Sequence, residues 1–489
     1  MLSRHLRVNN RHCAALRTAA PLLKSRYSTS PAVDNVRITT LDNGIRVAVD
    51  PTPGHFSTMG LYLHAGSRYE DKHLRGLSHI VDRLSFKSTT SRTALEMQES
   101  LESLGGNYMC ASSRETMLYQ ASVFNSDTEG MFSLLADTFK SPLNTPEEVL
   151  DQLATAQYEV NEISQKPDLI LPELLHMTAY NGTLGNPLLC PLERIEEITD
   201  QHVRDYREKF YKPEKLVVGF VGVNEERAVD LANKYLGDIP ATPVEKQLNM
   251  FSEFSQYTGG EFSRPSLPPI GNLPQFVHLH IAFEGLSTSD PDIYALATLQ
   301  ILLGGGGSFS AGGPGKGMYS RLYTHVLNQF GYIESCLAYN HSYTDSGLFG
   351  ISASCIPNAA PYLAEVLCRQ FAFTFTKGQG ALTNTEVQRA KNQLRSSLLM
   401  NLESKMVQLE DMGRQIQVQG HKIPVQEMCE KIDRLTVEDI QRVAKRVLTG
   451  NANNPGRGNG RPTIVIEGRR ETFGDVEGVI KRYGLGSRA

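Results

Sequence analysis

Residues that bind metal ions or act as nucleophiles are thinly spread along this chain. Its seven cysteines contain no CxxC pair, and their odd number does not fit a disulfide framework, so a reducing compartment is favoured. His278 and His280 lie two residues apart on one face of a predicted strand, but no third ligand accompanies them. Ordinary strand histidines are therefore the favoured interpretation of this pair. The cysteines are Cys13, Cys110, Cys190, Cys336, Cys355, Cys368 and Cys429.

The most distinctive segment is rich in glycine. Eight of the fourteen residues from 304 to 317 are glycine. This is not a phosphate-binding P-loop, because Ser310 stands where the first glycine is needed and Gly317 stands where Ser or Thr must follow the lysine. The segment lies inside a predicted domain, where it separates two stretches with apolar residues at helical spacing, 296–303 and 319–328. A functional loop is thus favoured over a flexible linker, which remains the alternative.

The helices and strands that position these residues must form from a sequence whose composition is typical of globular proteins. It has 489 residues, of which 40% are hydrophobic and 21% are charged. This is enough for two or more domains, each with its own core, and it excludes a collagen-like or wholly disordered chain. Because the sequence contains no uninterrupted apolar run of about 18 residues, no membrane-spanning helix is predicted.

The first 30 residues differ in composition from the rest. They are rich in serine and contain six basic residues and no acidic one, which is typical of a mitochondrial transit peptide. We expect cleavage between Tyr27 and Ser28 and a mature protein in the mitochondrial matrix. A basic arm for nucleic acid is the alternative, but no basic stripe in the rest of the chain supports it. The rest of the chain has 43 basic and 53 acidic residues, so its formal charge is near −10. The six basic residues of the first 30 are Arg4, Arg7, Arg11, Arg17, Lys24 and Arg26.

The remainder of the chain repeats one plan twice. Alternating residues on both sides of Asn43-Gly44 predict a hairpin, and the strand after it ends at Gly66. A similar strand ends at Gly285, which is 219 residues later, and each is followed by apolar residues at helical spacing. An internal duplication is the simplest account. We predict domains at 31–240 and 275–489, joined by a proline-rich linker at 241–274, and a mobile loop at 451–462.

The predicted hairpin, the turn Gly66-Ser-Arg-Tyr-Glu70 and the segment 76–89 together resemble the inverted-zincin family, the pitrilysin-like M16 metallopeptidases. The resemblance covers nearly the whole chain after residue 30. It implies an α+β fold with two homologous two-layer α/β sandwich domains. Active members of the family carry H-x-x-E-H on a helix, where the two histidines bind zinc and the glutamate acts as general base.

In this chain the corresponding motif is degenerate. His79, Asp82 and Arg83 stand at the three positions, and Glu159 stands where the family has its third ligand, a glutamate on a later helix. A guanidinium has no acceptor and stays protonated, so Arg83 cannot bind zinc, and Asp82 is one methylene shorter than glutamate. One histidine and one glutamate are too few for a stable zinc site. The resemblance therefore implies no catalytic residue and no metal or other cofactor in this chain.

Arg83 offers a replacement for the missing metal cation. We expect its guanidinium to form an ion pair with Glu159, and solvation of both side chains is the open alternative. The second half offers no better site. There the three motif positions correspond to Thr298, Ile301 and Leu302.

The glycine-rich segment is similar to the glycine-rich loop of the α subunits of heterodimeric processing peptidases, a subgroup of this family. In such a heterodimer the β subunit holds the intact motif and the zinc, and the α subunit binds the presequences of imported precursors. The resemblance implies a substrate-binding loop at 304–317, with a catalytic β subunit as partner and zinc only in that subunit. The predicted contact residues are Gly304, Gly305, Gly306, Gly307, Phe309, Gly312, Gly313, Gly315, Lys316, Gly317 and Met318.

Two alternatives to a substrate-binding subunit stay open at this point. A structural core subunit of the respiratory cytochrome bc1 complex has a similar fold and also lacks the metal, although a scaffold has no need of the glycine-rich loop. An independently active zinc peptidase is the second alternative, and the residue at position 83 argues against it.

Overall fold

The first half of the chain is built around one mixed sheet. The computed structural model describes residues 36–243, 253–268, 271, 274–307 and 318–486. In this part of the chain the first sheet has six strands, in the order β1-β2-β7-β3-β5-β4, and only the β2–β7 pair is parallel. The strands are β1 (Arg37–Thr40), β2 (Arg46–Asp50), β3 (Phe56–Leu63), β4 (Asn107–Ser112), β5 (Met117–Phe124) and β7 (Leu216–Val221).

Helices cover one face of this sheet and bury its apolar side chains. Leu61 of β3, Phe132 of the third helix and Val218 of β7 are all inaccessible to solvent within this core. The helices of the first half are α1 (Leu77–Arg83), α2 (Ala94–Leu104), α3 (Thr128–Lys140), α4 (Pro146–Ser164), α5 (Pro167–Ala179), α6 (Leu192–Ile195), α7 (Asp200–Phe210) and α8 (Glu225–Leu236).

The second half repeats this arrangement. Its described strands form the sheet β11-β12-β13-β10-β14-β9, in which only the β9–β14 pair is parallel. The strands are β9 (Gly260–Arg264), β10 (Val277–Glu284), β11 (Gly305–Gly307), β12 (Ile333–Ser342), β13 (Gly347–Cys355) and β14 (Thr463–Glu467). The helices are α9 (Ile293–Leu303), α10 (Ala360–Phe373), α11 (Asn384–Leu402), α12 (Lys405–Gln419), α13 (Val425–Asp433), α14 (Val437–Leu448) and α15 (Val476–Arg482).

The two halves exchange helices. Helix α12 belongs to the second half by sequence, but its Leu409, Met412 and Ile416 pack on the face of the first sheet that the other helices leave open, against Tyr62 and Val217. In return, α5 of the first half packs Leu171, Leu175 and Ala179 against Ala282, Leu348 and Val465 of the second sheet. Each half therefore buries an apolar sheet face with a helix that the other half supplies.

The predicted repeat and fold class are confirmed. Two homologous α/β halves are present, and the hairpin about Asn43-Gly44 is β1–β2, with Arg37 opposite Val49. The strands that end before Gly66 and Gly285 are β3 and β10, and the helices that follow are α1 and α9. In the part of the chain that the structure describes, every helix is too short or too polar to span a lipid bilayer.

Two segments have more structure than their composition suggests. The stretch predicted as a linker contains β9 and a short strand β8 (Gln256–Tyr257), which pairs with β6 (Tyr180–Asn181). The expectation of a mobile loop at 451–462 is wrong, because the segment packs into the protein. Asn454 is 5% exposed, and its side-chain amide donates to Glu284 Oε1 at 2.9 Å and to the Gly285 carbonyl at 2.8 Å.

Candidate functional site

A buried carboxylate holds the helix that carries the degenerate motif. Helix α1 begins after Gly76, whose φ of 84° is strained for any residue with a side chain. Glu70 Oε2 accepts the Gly76 N–H at 2.7 Å and Oε1 accepts the Ser78 N–H at 2.6 Å. The carboxylate thus caps the helix N-terminus, where unpaired N–H groups and the helix dipole favour an acceptor. Burial nevertheless raises the pKa of Glu70 to about 7.

Glu159 joins the two ends of the motif. It lies on α4, which begins with a capping box, as the spacing of Thr145 and Glu148 in the sequence predicts. Thr145 Oγ1 accepts the Glu148 N–H and the Glu148 carboxylate accepts the Thr145 N–H. Arg83 Nε lies 3.1 Å from Glu159 Oε2, so the expected ion pair is present. The Arg83 side chain is 40% exposed and that of Glu159 is 29% exposed. The pair sits at the protein surface and is screened by water.

His79 donates to the same carboxylate oxygen. Its Nδ1 accepts the Cys190 N–H at 3.2 Å, which leaves the proton on Nε2, and Nε2 lies 3.1 Å from Glu159 Oε2. Burial lowers the pKa of His79, and Arg83 acts in the same direction, whereas the hydrogen bond to Glu159 opposes this shift. The imidazole is therefore neutral, and both of its nitrogens are engaged in hydrogen bonds.

Asp82 points to the neighbouring strand. Its Oδ2 accepts the Ser112 N–H at 2.8 Å and the Ser112 hydroxyl at 3.1 Å, both from β4. Burial raises the pKa of Asp82, although these hydrogen bonds and Arg83 oppose the rise. A carboxylate bonded in this way ties α1 to β4 and is not placed to take a proton from a water near Glu159.

The residues at this site do not fit zinc. Two donors, His79 and Glu159, face each other, and the guanidinium of Arg83 fills the third corner on the same oxygen. A zinc ion needs three protein ligands at least, and a fixed positive charge at this distance opposes its binding. Across residues 36–243, 253–268, 274–307 and 318–486, no three His, Cys, Asp or Glu side chains are grouped to hold a metal ion.

The matching place in the second half offers no metal-binding donor either. Thr298, at the position equivalent to His79, is fully buried and donates its hydroxyl to the Tyr294 carbonyl at 2.7 Å. Leu302, in place of Arg83, is 4% exposed within the second core.

The glycine-rich segment begins as a strand. Gly305–Gly307 form β11, which pairs with β12 so that Gly305 lies opposite Leu337. With a φ of 103°, Gly305 cannot carry a side chain, because a Cβ there would lie 2.0 Å from the Cys336 carbonyl oxygen. Gly304 has a φ of 56° and turns the chain out of α9. Gly305 is thus required by a close approach of two strands and Gly304 by its positive φ, and the sequence pattern predicted neither.

The structure describes only some of the other predicted binding residues. Met318 is half-buried, just before Tyr319 and Ser320. Residues 308–317 lie outside the described part of the chain, and so does the proposed cleavage point at Tyr27 and Ser28. The predicted residues that fall outside are Phe309, Gly312, Gly313, Gly315, Lys316 and Gly317.

Sequence reasoning missed three groups that shape the site. Glu70 caps α1, Ser112 binds Asp82, and the backbone of Cys190 fixes the tautomer of His79. Glu70 lies in the turn on which the family resemblance partly rests, so the sequence did contain a sign that this residue matters for the site. Ser112 and Cys190 act mainly through backbone N–H groups, which leave no mark on residue type.

Comparison with known proteins agrees with this geometry. Residues 46–192 match the family model described as insulinase (peptidase family M16), and residues 197–394 match the peptidase M16 inactive domain. The mitochondrial-processing peptidase subunit alpha of Neurospora crassa is 50% identical over an alignment 556 positions long, gaps included, which covers 99% of this chain and 95% of that protein.

More distant relatives carry the same description. A probable mitochondrial-processing peptidase subunit alpha of Schizosaccharomyces pombe is 49% identical, covering 95% of this chain and 92% of the relative. The mitochondrial-processing peptidase subunit alpha of Homo sapiens is 38% identical, covering 85% of this chain and 80% of the relative. The chain belongs to the M16 peptidase family and, within it, to the mitochondrial-processing peptidase alpha subunits.

Proposed function

We propose that this chain is the precursor-binding, non-catalytic subunit of a heterodimeric mitochondrial processing peptidase, which removes presequences from imported proteins. The observation that carries the proposal is the ion pair between Arg83 and Glu159. It places a permanent cation where an active member needs its second histidine. The relatives are named as alpha subunits, which supports a beta subunit as the partner.

The partner supplies the reaction in this proposal. A beta subunit with an intact H-x-x-E-H motif holds the zinc, and water activated by that metal attacks the scissile carbonyl. This chain contributes binding energy and position only. The names of the relatives support a mitochondrial location, and the leader-like composition of residues 1–30 supports entry into the matrix.

The glycine-rich segment is the proposed contact with the presequence. Gly305–Gly307 of the segment form β11, and Tyr319, which follows the segment in sequence, is 62% exposed. Phe309 and Met318 provide apolar contact, and a glycine-rich backbone adapts to varied leader sequences. The formal charge near −10 outside residues 1–30 favours the approach of cationic leaders.

The two rival functions have less support. A core subunit of the cytochrome bc1 complex would have no use for the segment 304–317, and the relatives at 50% and 49% identity are named as processing peptidase subunits. An independent peptidase would need a metal-binding side chain at position 83, where arginine stands.

The test is a reconstitution assay. The purified chain, a beta subunit and their equimolar mixture are each given a precursor, and cleavage is expected only in the mixture. Deletion of residues 308–317 leaves β11 intact and should raise KM with little change in kcat, because the loss affects binding. Phe309→Ala is the milder variant and Leu95→Ala, an exposed site on α2, is its matched control. Cleavage by the chain alone, or an unchanged KM after the deletion, would contradict the proposal.

A further inference from the structure

The second half contains a cleft at the place where the first half has its degenerate motif. Helices α9 and α11 form its walls, as α1 and α4 do in the first half, and α11 begins with the same capping box, here between Thr383 and Glu386. The volume of the cleft is about 770 Å³, which is within the range of ligand-binding pockets. Ile301, Leu302 and Ser397, at the positions equivalent to Asp82, Arg83 and Glu159, line it.

A buried guanidinium lies in the wall of this cleft. The Arg321 side chain is 3% exposed, and its Nε is 3.2 Å from Glu386 Oε1. Nη2 donates to the Gly380 carbonyl at 2.5 Å. Neither Nη1 nor, apart from the ion pair with Glu386, Nε has a hydrogen-bond partner in the part of the chain that the structure describes. A buried N–H of a charged group without an acceptor is unfavourable, so an acceptor brought by a ligand is stabilising there.

The other groups around the cleft narrow the class of ligand. Arg389 adds a second positive charge and Glu386 supplies one negative charge, so the cleft is cationic on balance. Ile301, Leu302 and Met400 offer apolar contact in the same cleft. A guanidinium prefers a carboxylate, and the apolar residues suit an aliphatic side chain next to it.

We propose that this cleft binds the C-terminal carboxylate of the released leader peptide, with the last apolar side chain of the leader against Ile301 and Leu302. The proposal rests on the proposed function. Hydrolysis breaks the C–N bond, adds the water oxygen to the carbonyl carbon and transfers a proton to the amine. The leader then ends in a carboxylate that the intact precursor lacks at that position, so the cleft distinguishes product from substrate.

The experiment compares two forms of one peptide. The full chain is titrated with fluorescein-labelled Arg-Leu-Ala-Arg-Ala-Leu, either with a free C-terminal carboxylate or as the C-terminal amide, and fluorescence anisotropy gives the two dissociation constants. We expect the acid to bind about tenfold more tightly, the gain of one charge-assisted hydrogen bond. Equal dissociation constants for acid and amide would overturn the proposal.

Two variants test whether this cleft is responsible. Ser397→Phe fills it from α11 and should remove the preference for the acid, whereas Ser103→Phe, on an exposed face of α2, should keep it. Arg321→Met should also remove the preference, and a thermal melt shows whether that buried substitution leaves the chain folded. A preference that survives Ser397→Phe places the carboxylate elsewhere and overturns the assignment.

A precursor-binding measurement separates the two proposals. If the wild-type chain binds an intact precursor but does not distinguish acid from amide, this inference fails and the proposed function stands. If the chain binds neither the precursor nor either peptide, the proposed function fails and this inference fails with it.

Discussion

Arg83 Nε lies 3.1 Å from Glu159 Oε2, at the place where the family holds a metal ion. His79 donates to the same oxygen, so the Glu159 carboxylate contacts both the first and the last residue of the degenerate motif. The guanidinium of Arg83 supplies a positive charge beside Glu159 at the position of the motif's second histidine.

The strength of this ion pair is measurable by a double-mutant cycle on Arg83→Met and Glu159→Gln. Because both side chains are more than a quarter exposed, we expect a coupling energy of about 0.2–1 kcal/mol in urea unfolding. Arg414 and Glu410, an exposed pair on α12, provide a control cycle. A coupling energy of several kcal/mol would mean that the pair is more deeply desolvated than the structure indicates.

The chain should become less stable in mild acid because buried histidines resist protonation. Burial is the main cause that lowers the pKa of His64 from 6.5 to about 4. The native state therefore binds fewer protons than the unfolded state between these values, so the stability that His64 contributes is complete above pH 6.5 and is lost as the pH falls towards 4. For this residue the loss amounts to at most about 3 kcal/mol.

His64→Gln tests this expectation, because glutamine keeps a donor for the Gln417 carbonyl, which lies 3.2 Å from His64 Nε2. Urea unfolding at a series of pH values should show a shallower loss of stability for this variant below pH 6.5. His55→Gln, at an exposed position, should follow the wild type. Identical curves for all three proteins would show that His64 is not the group that titrates.

The packing of α12 on the first sheet predicts a position at which adding one methyl group destabilises the protein. A Cβ on Gly413 of α12 would lie 2.3 Å from the ring of Tyr62, on the sheet face that α12 covers. We expect Gly413→Ala to lower the free energy of unfolding by about 1–3 kcal/mol. Gly130→Ala in α3 meets no atom closer than 3.6 Å and should stabilise by about 0.5–1 kcal/mol. Equal effects of the two substitutions would contradict the packing of α12.

A buried ion pair also joins the two halves. Arg68 Nη1 and Nη2 donate to Asp345 Oδ1 and Oδ2 at 3.0 and 2.8 Å, and both side chains are at least 96% buried. Arg68→Met leaves the Asp345 carboxylate without its buried cation, so we expect a loss of about 3–5 kcal/mol in urea unfolding. Adding Asp345→Leu should restore part of that loss. A double variant less stable than Arg68→Met alone would contradict this account.

Local sequence patterns predicted the helices and strands well, but they could not predict contacts between residues that are distant in the sequence. The Asn43-Gly44 hairpin and the Thr145 capping box depend on neighbours in sequence, so their residue types were sufficient. Placement of α12 on the first sheet depends on which apolar face remains open after the other helices pack, and no local pattern records that. In the site, charge and motif position predicted the pair of Arg83 and Glu159, but the backbone donor at Ser112 that turns Asp82 aside has no signature.

The most direct test of the account is the zinc content of two purified proteins, the wild-type chain and the double variant Asp82→Glu, Arg83→His, measured by atomic emission after dialysis against trace zinc. The double variant restores H-x-x-E-H with Glu159 as the third ligand, so we expect it to retain close to one zinc per chain and the wild type to retain none. Tightly held zinc in the wild-type chain would contradict the claim that a guanidinium stands in for the metal.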